Sequence, residues 1–231
     1  MKIIQDNITA ITTTQEHPAF PRESLTTAYL KDIWKATSST DTITVTASSG
    51  EAVVLFNTNA TSIAIYKGAV AAPNLLTTAF DTELSIAWAD YTLDAGSHDI
   101  NIVLTTTETY LEVGKVVVGT ETTFPDPRYG LKEGVDDTSI VIKLPSGGYY
   151  TKKRNMARTF EFSFEIERDT AFYDFMKSFY RENGPVPVVW RLNDSLTNLD
   201  WVIWAVMPQP PTASHDYFSH TIVSIKLSEN L

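Results

Sequence analysis

The sequence predicts a mainly β protein in two parts. A β-sandwich (jelly roll) is expected over residues 1–120, then a Pro/Gly connector at 121–137, then a β-sheet domain with one packed helix over 138–231. Three observations carry this reading. Thr, Val and Ile crowd the first half (ITTT, ITVTA, VLTTTET), and branched side chains suit a pleated strand better than a helix. Short alternating segments recur there at near-regular spacing, with polar turns between them. Beyond the connector the pattern changes to a few longer strands interrupted by one stripe of apolar residues at helical spacing.

In the first block, Ile43, Val45 and Ala47 alternate with threonines, and Ala52 to Phe56 is a short continuous apolar run. Ser62 to Tyr66 alternates again, and Asp99 to Leu104 and Tyr110 to Val118 complete the set. No stretch of ten residues with a 3.6-residue period interrupts them. The connector carries Pro125, Pro127, Gly130 and Gly134. Proline removes backbone donors and fixes φ, so this stretch is not expected to sustain a sheet.

In the second block, Thr138 to Leu144 reads as a strand ended by a Pro145-Ser146-Gly147-Gly148 turn. Phe160, Phe162, Phe164 and Ile166 alternate with Glu161, Ser163, Glu165 and Glu167, the signature of a half-buried strand. Asp169 is placed to cap a helix from Thr170 to about Glu182, with Phe172, Phe175, Met176 and Phe179 on one face. Asn183-Gly184 and Pro185 end it. Strands resume at Val186–Leu192, Trp201–Met207 and about Tyr217 to Leu227.

At 43% hydrophobic residues the chain is not disordered, and its 231 residues suffice for one large core or two small ones. The absence of cysteine excludes disulfides, thiolate metal sites and a cysteine nucleophile. The start, MKIIQDNITAI, is too polar and short for a signal peptide, and no run reaches the length of a membrane span, which predicts synthesis and folding in a cytoplasm without membrane insertion. A net charge of −10 disfavours nucleic acid as a partner. That charge is uneven: Lys143, Lys152, Lys153, Arg154 and Arg158 lie within 141–158 with no acid among them. The segment reads either as a solvated loop or as a basic contact surface for an acidic patch on another subunit, where complementary charge sets register.

No catalytic constellation is found. His17, His98, His215 and His220 show no HxxxH or HExxH spacing, so no metal site is expected. Asp136-Asp137 read as turn residues, and Glu161, Glu165 and Glu167 as the polar face of a strand, rather than as a glycosidase pair. GxSxG, P-loop and GxGxxG motifs are absent, and SGGYY opens no helix. The reading is therefore of a non-enzymatic protein without cofactors. Of the five tryptophans, Trp201 and Trp204 are three apart, so on one strand they face opposite sides, and one is available as an anchor for a neighbour.

Two resemblances follow from these segments. FPRESLTTAYLKDIWKA, SSGEAVVLFNTNATSIAIY and YLEVGKVVVG together resemble the discoidin or galactose-binding-like jelly roll, in which the early tryptophan, here Trp34, packs in the core. That likeness implies carbohydrate binding, with Trp88 as a possible glycan contact. The full order, VGKVVVGTE, Pro-rich connector, GGYYTKKRNMARTFEFSFEIERD, helix and ENGPVPVVWRLND, resembles the minor tail and distal tail (baseplate) proteins of tailed phages, whose second domain is tail-tube-like. Some relatives carry a cysteine-bound iron–sulfur cluster, which a chain without cysteine does not inherit. The resemblance implies a structural virion protein of the phage tail, made in the host cytoplasm and assembled as a homo-oligomeric ring (trimer or hexamer) between tail tube and tail tip proteins. The expected subunit interface is Lys152, Lys153, Arg154, Arg158, Trp201 and Trp204. A carbohydrate-binding module recognising a cell-surface glycan is the alternative.

Overall fold

Alternating branched residues give this chain strands nearly everywhere, and the computed structural model is mainly β, with several sheets and a short helical segment. The structure describes residues 1–91, 97–127, 130–137, 139–153, 156–167, 177–181, 184–193, 199–214 and 220–230. In chain order the strands begin with β1 (Lys2–Ile4), β2 (Ile8–Thr13), β3 (Trp34–Lys35), β4 (Thr40–Ala47), β5 (Ala52–Thr58) and β6 (Ser62–Lys67). They continue with β7 (Thr78–Asp81), β8 (Ile86–Asp90), β9 (His98–Thr105), β10 (Glu112–Gly119), β11 (Glu121–Thr123) and β12 (Lys132–Asp137). The remainder are β13 (Ile140–Lys143), β14 (Tyr149–Lys152), β15 (Met156–Glu167), β16 (Val188–Arg191), β17 (Val202–Val206), β18 (Thr212–Ser214) and β19 (His220–Glu229).

The chain divides into two compact units, Met1–Phe124 with Val188–Ile203, and Pro125–Pro187 with Trp204–Leu231. The first unit holds two facing antiparallel sheets, β2-β4-β9-β6 and β3-β10-β5-β8-β7. Alternation puts Ile43, Val45 and Ala47 of β4 and Ile100, Ile102 and Leu104 of β9 into the core between them. Trp34 is fully buried in the same core. The five-stranded sheet is covered on its other face as well. Val53 and Leu55 of β5 point into the sandwich core, while Val54 and Phe56 are buried on the opposite side. This double burial explains why β5 and β10 read as continuous apolar runs instead of alternating ones. Arg191 of β16 lays its guanidinium on Trp88 at 4.7 Å on that outer face.

A second ladder of the same unit closes the sandwich at its base. β1 pairs antiparallel with β11 (Lys2 opposite Thr123) and, on its other side, with β16 (Ile3 opposite Trp190). The sandwich is thus a long excursion whose two ends leave side by side. Residues 121–137, expected as a Pro/Gly connector that does not sustain a sheet for long, contain the short strands β11 and β12, with Pro125 and Pro127 in the gap between them. The prolines break the chain only where they stand; β11 is held by its pairing with β1, which local sequence does not report.

In the second unit β12, β15, β19 and β18 form a ladder, and Phe160, Phe162 and Phe164 sit opposite Leu227, Ile225 and Val223 on one buried face. Of the expected helix 170–182, residues 177–181 are helical with Phe179 buried, while Asp169, Phe172, Phe175 and Met176 lie outside the described residues. Gly184, at φ +64°, donates its N–H to the Tyr180 carbonyl at 2.8 Å, a left-handed helix stop.

Two positions make the packing testable. A Cβ at Gly119 would overlap the Gln5 carbonyl, which is backbone and cannot swing aside. Gly119→Ala is therefore expected to cost about 1–3 kcal/mol, read as a lower denaturant midpoint. Asp41, buried in β4, accepts from the Thr14 hydroxyl and from the Gln15 N–H at 3.1 Å. Burial nevertheless pushes its carboxyl above the ordinary range, against the backbone donors of Thr42, Gln15 and Thr14. A raised acid favours folding while protonated, so its contribution is lost as pH rises from about 4 through the folded value. The stability difference between wild type and Asp41→Asn should fall with rising pH across that window; a flat difference would contradict this.

Candidate assembly surface

The segment between β12 and β15 departs from the pattern of the rest. β12 pairs with β15 from Lys132 opposite Glu161 to Asp137 opposite Met156. The two chains then continue outward as the β13–β14 hairpin, from Ile140 opposite Lys152 to Lys143 opposite Tyr149. Two residues separate β12 from β13 but three separate β14 from β15, so the ribbon changes register at its middle. Asp137 anchors this joint: its Oδ1 accepts from the Ser139 N–H at 2.9 Å. Hydrogen bonds from Ser139, with the nearby Lys153 ammonium, hold its carboxyl below the usual range. The tip closes through Leu144 N–H to the Gly148 carbonyl at 2.7 Å and Gly147 N–H to the Leu144 carbonyl at 2.9 Å. Gly147 sits at φ +87°, which favours glycine.

Every residue from 141 to 153 is exposed. Residues directly opposite across a ladder share a face, so Ile140, Ile142, Tyr150 and Lys152 lie on one side and Val141, Lys143, Tyr149 and Thr151 on the other. Neither side is purely polar. Tyr149 is 68% and Val141 62% exposed, and Leu144 at the tip is exposed too. Val135 and Met156 extend the apolar character down the ribbon. Lys143, Lys152 and Lys153 make the segment basic, with no acid between 140 and 153. A two-stranded hairpin exposed from 141 to 153 is marginal in water, and one with two part-apolar faces is a candidate for cover by another chain.

The sequence-predicted interface residues divide. Lys152 and Lys153 are exposed at the end of this hairpin; Arg154 lies outside the described residues. Arg158 is committed within its own unit: its Nη2 meets Glu229 Oε1 at 3.0 Å and its Nε meets Oε2 at 3.3 Å, fastening β15 to β19. Trp204 is buried in β17, and Trp201 is half-buried in a 3-10 turn (Leu199–Trp201) that precedes it, so strand alternation does not govern the pair. Neither tryptophan is presented as an exposed anchor. Trp88 is fully buried, its indole donating to Asp90, and no glycan can stack on it; the two-sided burial of its sheet is the reason. The apolar hairpin residues were not singled out by sequence, although the absence of a polar alternate in Ile140–Lys143 was a readable signal.

Elsewhere in the second unit a shallow cleft of about 370 Å³ lies against Lys132, Glu161, Ser163, Gln209, Thr212 and Lys226. Its Lys226–Glu161 pair, 3.1 Å apart, joins two half-exposed side chains. Among the described residues no group of three His, Asp or Glu is placed to hold a metal, and no helix is long and apolar enough to cross a membrane. His98 bonds the Tyr91 hydroxyl at 3.0 Å; His215 lies outside the described residues. No family model matches the chain, and no curated protein or solved structure is significantly similar to it.

Because Arg158 is tied to Glu229, Arg158→Met should lower stability by about 1 kcal/mol, the scale of a part-exposed ion pair, without changing solution mass. A mass change with unaltered stability would return Arg158 to the contact surface.

Proposed function

We propose that this chain is a structural subunit of a tailed-phage virion, at the tail tip or baseplate, repeated around a homo-oligomeric ring through the β13–β14 hairpin. The observation that supports it is the hairpin itself, exposed from residue 141 to 153 with aliphatic and tyrosine side chains on both faces. The occupant that fits it is another copy of this chain. Residues 140–153 contribute +3 to a chain of net charge −10, so the rest of each copy is acidic and attracts them. A head-to-tail contact of this kind closes into a ring when the rotation between copies allows it. In this reading the first unit is the jelly-roll accessory module and the second the tail-tube-like assembly module.

The test is solution mass by light scattering over a concentration series. The wild type is expected to form a discrete oligomer, and Ile142→Asp/Tyr150→Asp to remain monomeric at the same concentrations. Both side chains are exposed in the isolated chain, so the variant should keep the wild-type denaturation midpoint. Equal mass distributions for the two proteins would remove the hairpin from the assembly and with it this reading. Lys152→Glu/Lys153→Glu should weaken the oligomer several-fold, more strongly at low salt.

A further inference from the structure

Charged side chains of the first unit converge where β1 is paired on both edges, and their charges do not balance. Lys2 comes from β1, Asp90 from β8, Glu121 from β11 and Arg191 from β16, while Glu51 stands immediately before β5. Pairing brings them together: Lys2 is opposite Arg191 across one ladder of β1, and Ile4 is opposite Glu121 across the other. Ala52, next to Glu51, is opposite Asp90. The Glu121 side chain is only 10% exposed, and the Lys2 ammonium bonds its Oε2. Its Oε1 is buried, and among the described residues no donor reaches it. What lies within hydrogen-bond reach of this carboxyl is a second one, that of Asp90. Asp90 has donors of its own: Oδ1 accepts from the Trp88 indole, and Oδ2 lies 3.9 Å from Arg191 Nη1. Glu51 adds a third acid, its Oε2 accepting from the Glu121 N–H at 3.1 Å.

Two ionised carboxylates are both acceptors, so a contact between them repels; it becomes a hydrogen bond when one of them carries a proton. A proton on Glu121 also turns its orphaned oxygen from an unsatisfied acceptor into a donor. Burial acts in the same direction and pushes the Glu121 carboxyl above its ordinary range, with Lys2 opposing and Asp90 reinforcing the effect. The proton sits better on Glu121 than on Asp90, whose side chain is 39% exposed and already has the indole N–H. It settles the charge as well. With it, Glu51 and Asp90 balance Lys2 and Arg191; without it, three carboxylates face two cations.

We infer that Glu121 and Asp90 hold one proton between them, and that this proton is a latch on the β1–β11 ladder, which loosens when the proton is lost. β11 is three residues long and stands at the end of its sheet, so a local charge imbalance acts on it directly. A carboxyl raised by folding stabilises while protonated, so the latch is closed at low pH and opens as pH rises from about 4.3 through the folded value. This goes beyond the assembly reading and does not depend on it. The test is carbon NMR of the full chain labelled at glutamate Cδ, together with amide exchange of residues 2–4 and 121–123 across pH, corrected for intrinsic exchange rates. One glutamate should titrate above the ordinary range, and its signal should vanish in Glu121→Gln. Protection of those amides should fall about tenfold as pH rises through that value in the wild type. It should stay level in Glu121→Gln, which keeps a neutral side chain able to donate to Asp90. Asp90→Asn should return Glu121 toward the ordinary range. Asp41, also raised by burial, lies in β4 of the facing sheet, and Asp41→Asn should leave the step in place. A Glu121 that titrates with the other glutamates, or the same pH course of protection in wild type and Glu121→Gln, overturns the inference.

Discussion

The first unit depends on a pair of central strands that have almost no wet face. β5 and β10 bury residues on both sides, so any polar group they carry must find a partner inside the protein. Lys115 of β10 is the clearest case. Burial pushes its ammonium below the usual lysine range, and Asp6, 3.3 Å away, opposes that shift. Removing Asp6 alone would take a counterion from a buried charge, which is more damaging than replacing both. Arg191 meets the same demand differently. It lies flat on Trp88, its Nε donates to the Asn193 carbonyl at 3.1 Å, and Nη1 lies 3.9 Å from Asp90.

The same constraint explains how the chain is closed at its start. β1 is only three residues long, yet it is paired on both edges, and the Met1 ammonium donates to the Phe124 carbonyl at 3.2 Å. Glu121 on β11 is raised by burial and by the neighbouring Asp90, while Lys2 on β1 pulls it back. Charged groups from β1, β8, β11 and β16 therefore meet at one junction. Strands far apart in sequence are fastened there by pairing and charge together.

This sets what was legible. β4, β9 and β15 each have one wet face, so alternation within six or eight residues announces both the strand and its inward side chains. The helix stop at Gly184 was equally local. β11 was not legible, because its partner is more than a hundred residues away and three residues carry no period of their own. Trp88 was misassigned for the converse reason: in a strand covered on both sides no position is outward. Arg158 was grouped with its neighbours in sequence, but its partner Glu229 is 71 residues on. Phe20 and Tyr110 come from two separate loops that meet around Lys35, and no motif spans them.

The two exposed apolar features differ in a way that bears on what can cover them. The Phe20–Tyr110 pair in the first unit is small and braced by the Lys35–Glu112 ion pair, so the free protein tolerates its exposure. The hairpin is long and part-apolar on both faces. A two-fold contact between identical hairpins buries one face of each and leaves the other in water. Covering both requires surfaces from two directions, either a cleft in one neighbour or two neighbours at once. A head-to-tail arrangement supplies such surfaces without asking the hairpin to be complementary to itself. The mixed character of both faces, each with one lysine, also suits a contact that forms late, since an entirely aliphatic ribbon would pair indiscriminately before its neighbours were in place.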